Sequence, residues 1–233
     1  MRWRGANPEY EAIGEGGRLQ EKLDALKARV NSMIPASTVA VHERAVEELR
    51  QSGILERMLP VGAQAPAFEL PDKDGKIVCS EDLLAQGRLV LKFFRGRWCP
   101  YCIAELEAYK ELLPEIEATG GALVAISPQT VRQTFFLADQ HELRYPVLSD
   151  AGNAVARRFG LVYRLPDDLR AVFQRAFVNL VSSNGDSSWE LPLPAVYVLE
   201  RDGTVLCAAA DCDFRRRTEP AAVLAALRTG STG

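Results

Sequence analysis

The chain has 233 residues, of which 47% are hydrophobic and 25% charged, and its formal net charge is -3. These are the proportions of a globular protein, and they exclude a disordered tail protein, a collagen-like fibre and a dense disulfide scaffold. So slight a negative charge gives no global electrostatic case for binding nucleic acid or an anionic membrane surface.

Length predicts one large domain or a domain with an appendage. Residues 1–17 carry Arg2 and Arg4, then Glu, Gly and Pro in place of an apolar run. They read as a flexible tail and not as a secretory signal. Gly14-Glu15-Gly16-Gly17 lacks the strand and helix context of a dinucleotide site and reads as linker. Leu19, Leu23, Leu26 and Val30 then recur at helical spacing, and Pro35 ends that helix. Val39, His42, Val46 and Leu49 form a second stripe that stops near Gly53. Residues 18–60 are therefore expected to be a helical extension whose apolar stripes pack on the main domain or across a homodimer interface.

Residues 61–233 read as the main domain. Strands are expected over 67–70 and 76–79, joined by the turn Asp72-Lys73-Asp74-Gly75, with a short helix opening at Ser80. A buried strand over 88–94 runs toward a helix starting at Pro100, which Pro114 should kink or split. Strands over 121–127 and 146–149 alternate with helices over 129–141 and 151–159. Residues 160–193 read as a long connection with a helix near 167–177. Strands over 195–199 and 204–209 form a hairpin across Arg201-Asp202-Gly203, and a last helix starts at Glu219-Pro220. The pattern is α/β, a mixed central sheet flanked by helices. Apolar runs such as 89–94 and 121–126 fall far short of the ~20 residues that span a bilayer. The expectation is a cytoplasmic protein with no membrane or nucleic-acid partner.

Five cysteines are present: Cys79, Cys99, Cys102, Cys207 and Cys212. An odd number argues against a fully paired framework, and in a reducing compartment a close pair is redox-active or metal-binding before it is a staple. Cys99-Pro100-Tyr101-Cys102 follows a buried strand and opens a helix, where unpaired backbone N–H groups and the positive end of the helix dipole stabilise a thiolate. Arg95 and Arg97 could add to that field, and Trp98 could wall the thiols. Two intervening residues set both sulfurs within one turn, so that one thiol can attack and the other resolve. A zinc site would need two more ligands, and Cys207 and Cys212, five apart, have unusual spacing for them. Cys79, Cys207 and Cys212 read as small buried hydrophobes, and His42 and His141 as structural. The run Arg215-Arg216-Arg217 beside Asp211 and Asp213 reads as a solvated or ion-paired patch.

The run from Val61 to Leu70, Val-Gly-Ala-Gln-Ala-Pro-Ala-Phe-Glu-Leu, resembles the opening of the alkyl hydroperoxide reductase/thiol-specific antioxidant (peroxiredoxin) family. Phe93-Phe94-Arg95-Gly96-Arg97-Trp98-Cys99-Pro100-Tyr101-Cys102, continuing to Glu105-Leu106, resembles its active-site segment, and most closely that of a bacterial peroxiredoxin-like branch with a Trp-Cys-Pro-Tyr-Cys site. The likeness extends over roughly 18–228. It implies a thioredoxin-like fold, in which Pro194 would stand in the cis-proline element facing the cysteines. Peroxiredoxins place Thr or Ser three residues, and Pro seven, before the attacking cysteine. Matching Cys102 puts Cys99 and Arg95 at those places, whereas matching Cys99 puts Gly96 and Lys92 there. The arginine usual near the late strand is replaced by Leu193 and Pro194, so Arg95, Arg97 or Arg164 would have to substitute.

The function expected is thiol-dependent reduction of a hydroperoxide through a Cys99/Cys102 dithiol–disulfide cycle, renewed by a thioredoxin-like donor, with no metal, haem or flavin. A protein disulfide reductase and a non-catalytic redox sensor are the alternatives. With the family's polar pocket incomplete, the helix-edge thiol Cys99 is expected to attack and Cys102 to resolve.

Overall fold

A computed structural model describes residues 18–229, so the tail and linker expected at 1–17 lie outside the described residues. Two helices come first, α1 (Leu19–Met33) and α2 (Ala36–Gln51), separated where Pro35 adopts an extended ψ of 145°. A hairpin of β1 (Glu69–Pro71) and β2 (Ile77–Cys79) and the helix α3 (Ser80–Gln86) lead into β3 (Leu89–Phe93) and α4 (Pro100–Ala118). β4 (Ala122–Ser127), α5 (Val131–Gln140), β5 (Val147–Ser149) and α6 (Ala154–Arg158) follow. β6 (Val162–Arg164), α7 (Asp167–Arg175), α8 (Leu180–Asn184) and β7 (Glu190–Pro192) make an excursion, before β8 (Ala195–Leu199), β9 (Val205–Ala210) and α9 (Pro220–Thr229) close the chain.

Five strands form the central sheet in the order β5-β4-β3-β8-β9, with β4 parallel to β3 and to β5, and β8 antiparallel to β3 and to β9. β3 is central, which is why all five of its residues are buried. Its period of two divides them between two layers. Leu89, Leu91 and Phe93 join Phe159 and Tyr197 on one face, while Val90 faces Leu106, Tyr109 and Leu113 of α4 on the other. Lys92 shares the parity of Val90, so a lysine is driven into the layer under α4.

The extension packs on this same layer. Leu19, Leu23 and Leu26 join the α4 and α9 cluster, and α2 lies against α7. Glu219 holds the start of α1, accepting from the Leu19 and Gln20 N–H groups at 3.1 and 2.9 Å. At the other end of the extension Leu59 N–H donates to Phe159 O at 3.1 Å. Gly160 sits there with φ +72°, and a Cβ would lie 2.0 Å from Arg57 O. Only glycine fits that approach.

Three expectations change. Pro114 does not break α4, because Leu113 and Ile116 on either side of it are both buried in the α4 layer. The helix expected over 151–159 is interrupted, since Gly152 (φ 72°) and Asn153 (φ 58°) are left-handed and a 3-10 turn precedes α6. The long connection contains the two-stranded β6–β7 ribbon; strands of three residues carry too short a pattern to stand out in sequence.

Candidate active site

β3 delivers the chain to a loop over 94–99 from which α4 starts. Phe94 N–H still pairs with Ile126 O at 3.0 Å, and Arg97 N–H donates to the buried Gln129 side chain at 3.0 Å. Gly96 has φ +146°, and a Cβ there would lie 2.6 Å from Trp98 Nε1, so the loop can fold over Trp98 only with glycine. Cys99 is the N-cap of α4 and Pro100 occupies its first turn, where a missing N–H costs nothing. Cys102 lies one turn on. The structure thus brings Trp98, Cys99, Pro100 and Cys102 together as expected.

Both sulfurs are buried, Cys99 at 1% exposure and Cys102 at 0%, and both feel Arg95 and Arg217, yet the balance of effects on them differs. Burial pushes the Cys99 thiol well up, and its hydrogen bond to Cys102 pushes the same way. Burial also pushes Cys102 up, but the Cys99 hydrogen bond, the Arg217 and Arg95 charges and the Arg95 backbone N–H outweigh it and hold the thiol below its ordinary value. Arg217 Nη2 lies 3.6 Å from Cys102 Sγ. These surroundings lower the Cys102 thiol and raise that of Cys99, whereas the sequence expectation placed the attacking thiol at Cys99. That expectation assumed an exposed sulfur at the helix edge, and the edge is covered.

Arg217 itself is fixed from every side. Its Nε meets Glu105 Oε2 at 2.7 Å, its Nη1 donates to the Phe214 and Arg216 carbonyls, and its N–H donates to Gln20 Oε1 at 3.0 Å. Glu105 Oε1 pairs with Lys92 Nζ at 2.7 Å, and Lys92 also donates to Ala195 O. Burial draws Lys92 below the usual lysine range against the pull of Glu105. Removing any member of so buried a set strands the others. Arg215, beside it, is clamped by Glu43 of α2 at 2.7 and 2.9 Å and by Asp213. Two residues of the basic run are thus buried ion-pair partners, and one reaches a sulfur.

The remaining expectations divide. Arg95 is buried against Trp98 and Phe214, with its guanidinium carbon 4.7 and 4.0 Å from their ring centroids. Arg97 is not part of the thiol field: it turns to α5, donating to Gln133 at 3.1 Å. Arg164 is exposed. Pro194 lines a cleft with Lys92 and Arg217, but no peptide bond among the described residues is cis, so the Leu193–Pro194 bond is trans. Leu193 is buried and its N–H donates to Leu161 O at 2.8 Å, which carries the chain from β7 straight into β8. Cys79, Cys207 and Cys212 are free thiols, the last two in different core clusters. Among the described residues no group of three or more His, Cys, Asp or Glu could hold a metal ion.

The residue that sequence reasoning missed is Arg217. A signal existed: the resemblance asked for an arginine near the late strand, none stands at 193–194, and the next arginines after β9 are Arg215, Arg216 and Arg217.

The family model of AhpC/TSA matches residues 61–207. The chain belongs to the AhpC/TSA family. A Mycobacterium tuberculosis protein named as a peroxiredoxin is 32% identical over 120 residues, covering 52% of this chain and 78% of the relative. Thiol-disulfide oxidoreductase ResA of Bacillus cereus is 24% identical over 152 residues, covering 65% and 70%. Among solved structures, peroxidoxin BcpB of M. tuberculosis superposes with a TM-score of 0.59 at 25% identity, over 75% of this chain and 99% of that one. Peroxiredoxin Q of Xanthomonas campestris, at 19% identity and a TM-score of 0.55, covers 71% and 92% and shares the fold. The fold is thioredoxin-like. Arg217, Gln20 and Glu43 all lie outside the matched segment.

Proposed function

We propose that this AhpC/TSA-family oxidoreductase reduces hydroperoxides with Cys102 as the attacking thiolate and Cys99 as the resolving thiol. The Cys102 sulfur attacks the distal peroxide oxygen, the O–O bond breaks, and the leaving alkoxide or hydroxide takes a proton, which leaves a sulfenic acid. The Cys99 thiol, already hydrogen-bonded to Cys102, displaces its hydroxyl as water to form the Cys99–Cys102 disulfide. A thioredoxin-like dithiol returns the pair to the reduced state by exchange. The different balance at the two sulfurs, with Cys99 hydrogen-bonded to Cys102 and Arg217 3.6 Å from Cys102 Sγ, carries this reading. Trp98, Pro100, Arg95 and Glu105 shape the site through packing, helix start and charge. Residues 61–233 form the catalytic domain and 18–60 its extension, and five free thiols suit a reducing cytoplasm.

Stopped-flow mixing of the reduced protein with hydrogen peroxide tests it. Cys99→Ser should react once and yield a trapped sulfenic acid at Cys102, while Cys102→Ser should not react. The reverse pattern would assign attack to Cys99. A disulfide reductase is the second reading, favoured by the Cys-Pro-Tyr-Cys helix start and the likeness to ResA. It predicts faster reaction with a model disulfide than with any peroxide.

A further inference from the structure

Beside the dithiol, on the far side of Arg95, a cavity of about 360 Å3 lies between α2, β6 and α7. That volume is in the range of small-molecule sites. Val46, Leu49, Val162 and Leu169 supply apolar wall, and Arg95 also lines the cavity. At its exposed rim stand Arg57 and Arg164 against a single carboxylate, Glu48. Cys212 also lines it, but neither Cys99 nor Cys102 does.

Arg95 is the informative residue. Its side chain is 2% exposed, and among the described residues its Nε and Nη1 have no hydrogen-bond partner. Phe214, Trp98 and Phe173 lie 4.0, 4.7 and 5.7 Å from its guanidinium carbon. Those rings stabilise the charge, but their faces accept no conventional hydrogen bond from its N–H groups. A buried guanidinium without an acceptor is costly, and in the interior such donors are normally met. His42, also lining the cavity, has a buried Nδ1 without a partner among the described residues. Burial first, then the Arg95 and Arg215 charges, hold His42 down to about 4, so it is neutral at pH 7. The cavity therefore offers buried cationic and neutral polar groups at one end and aliphatic wall along the rest.

We propose that this cavity binds a small amphipathic carboxylate, its carboxylate on the Arg95 guanidinium and its aliphatic body against Val46, Leu49, Val162 and Leu169. A guanidinium pairs with a carboxylate through directional, charge-assisted hydrogen bonds, which supply the missing acceptor. The apolar wall asks for a hydrocarbon body, which a bare inorganic anion lacks. α2 supplies one wall from outside the segment matched by the family model, while Arg95, Val162 and Leu169 come from within it.

Isothermal titration calorimetry on the reduced full chain, without peroxide, tests the site with three probes: octanoate, 1-octanol and acetate. Octanoate should bind with a stoichiometry of one, 1-octanol at least about tenfold more weakly for want of the charge-assisted bond, and acetate without measurable heat. Arg95→Met and, separately, Ala45→Trp, which fills the cavity from α2 without touching the charge, should each weaken octanoate binding at least about tenfold. Equal affinity for octanol and octanoate, no octanoate binding at millimolar concentration, or unchanged binding in Ala45→Trp would each overturn the proposal. The comparison of probes needs only the unaltered chain, so it decides even where Arg95→Met does not fold. Repeating the titration on the Cys99→Ser, Cys102→Ser double variant keeps the result separate from the peroxidase reading, since binding should survive there.

Discussion

The segment matched by the family model, 61–207, and its flanks, 18–60 and 208–229, contribute different things to one site. The matched segment supplies placement: β3, the Gly96 loop and the N-terminus of α4 put two sulfurs one turn apart. The flanks supply charge: Arg217 stands on a loop after β9, and Gln20 of α1 and Glu43 of α2 hold that loop. The comparison teaches why one thiol differs from its neighbour. Both cysteines stand at the start of α4 and both feel the Arg95 and Arg217 charges, so what separates them is the hydrogen bond between them together with the Arg217 contact at 3.6 Å on Cys102.

The sharpest way to break this division is Arg217→Leu. Glu105 keeps Lys92 but loses its other partner, and uncompensated buried charge of this kind costs about 3–5 kcal/mol. The surviving folded protein should react with peroxide at least about tenfold more slowly at pH 7, since each tenfold in thiolate population corresponds to about 1.36 kcal/mol. Arg217→Lys should recover part of the rate. Stopped-flow rates and chemical denaturation of both variants measure this, and an unchanged rate in Arg217→Leu would sink the role of the flank.

Gly160→Ala strikes the junction between flank and core. An added Cβ 2.0 Å from Arg57 O, at φ +72°, should destabilise the protein by about 2–3 kcal/mol, read by urea denaturation. Gln20→Ala and Glu43→Gln loosen the Arg217 loop while leaving the core intact. Each should cost no more than about 1 kcal/mol, with a several-fold slower peroxide reaction. A core-only role for α1 and α2 would instead leave the rate unchanged.

Two pH dependences follow with smaller effects. With the Cys102 thiol held low, the peroxide reaction should rise with pH and reach its plateau below the ~8.5 of free cysteine. Arg217→Leu should move that rise to higher pH. His42 stays neutral in the fold down to about 4 while the unfolded chain takes up a proton near 6.5. The unfolded state then binds more protons in this window, so stability is full above about 6.5 and declines as pH falls toward about 4. His42→Phe should flatten that part of a melting-temperature profile.

Much of this was legible in the sequence. The apolar β3 strand, the Pro at the start of α4 and the spacing of Cys99 and Cys102 led directly to the dithiol, because each is a local pattern. The stripe of Leu19, Leu23 and Leu26 announced a helix with a buried face. What stayed hidden depends on residues far apart in the chain. Arg217 meets Glu105 across 112 positions, and a basic run next to aspartates looks the same whether solvated or buried. The exposure assumed for Cys99 failed for the same reason, since Phe214, whose ring packs on Tyr101 beside the cysteines, comes from a segment far along the chain.

The separation between Cys102 and Arg217 also orders events during synthesis. The arginine is made 115 residues after the cysteine, an interval on the order of ten seconds at ribosomal rates of ~5–20 residues per second. A nascent chain therefore carries its dithiol for that time with Arg95 but without Arg217 beside Cys102. On the proposed assignment, fast sulfenic acid formation at Cys102 awaits the docking of the late loop against Gln20 of α1, so an unfinished polypeptide is oxidised there more slowly than the finished one.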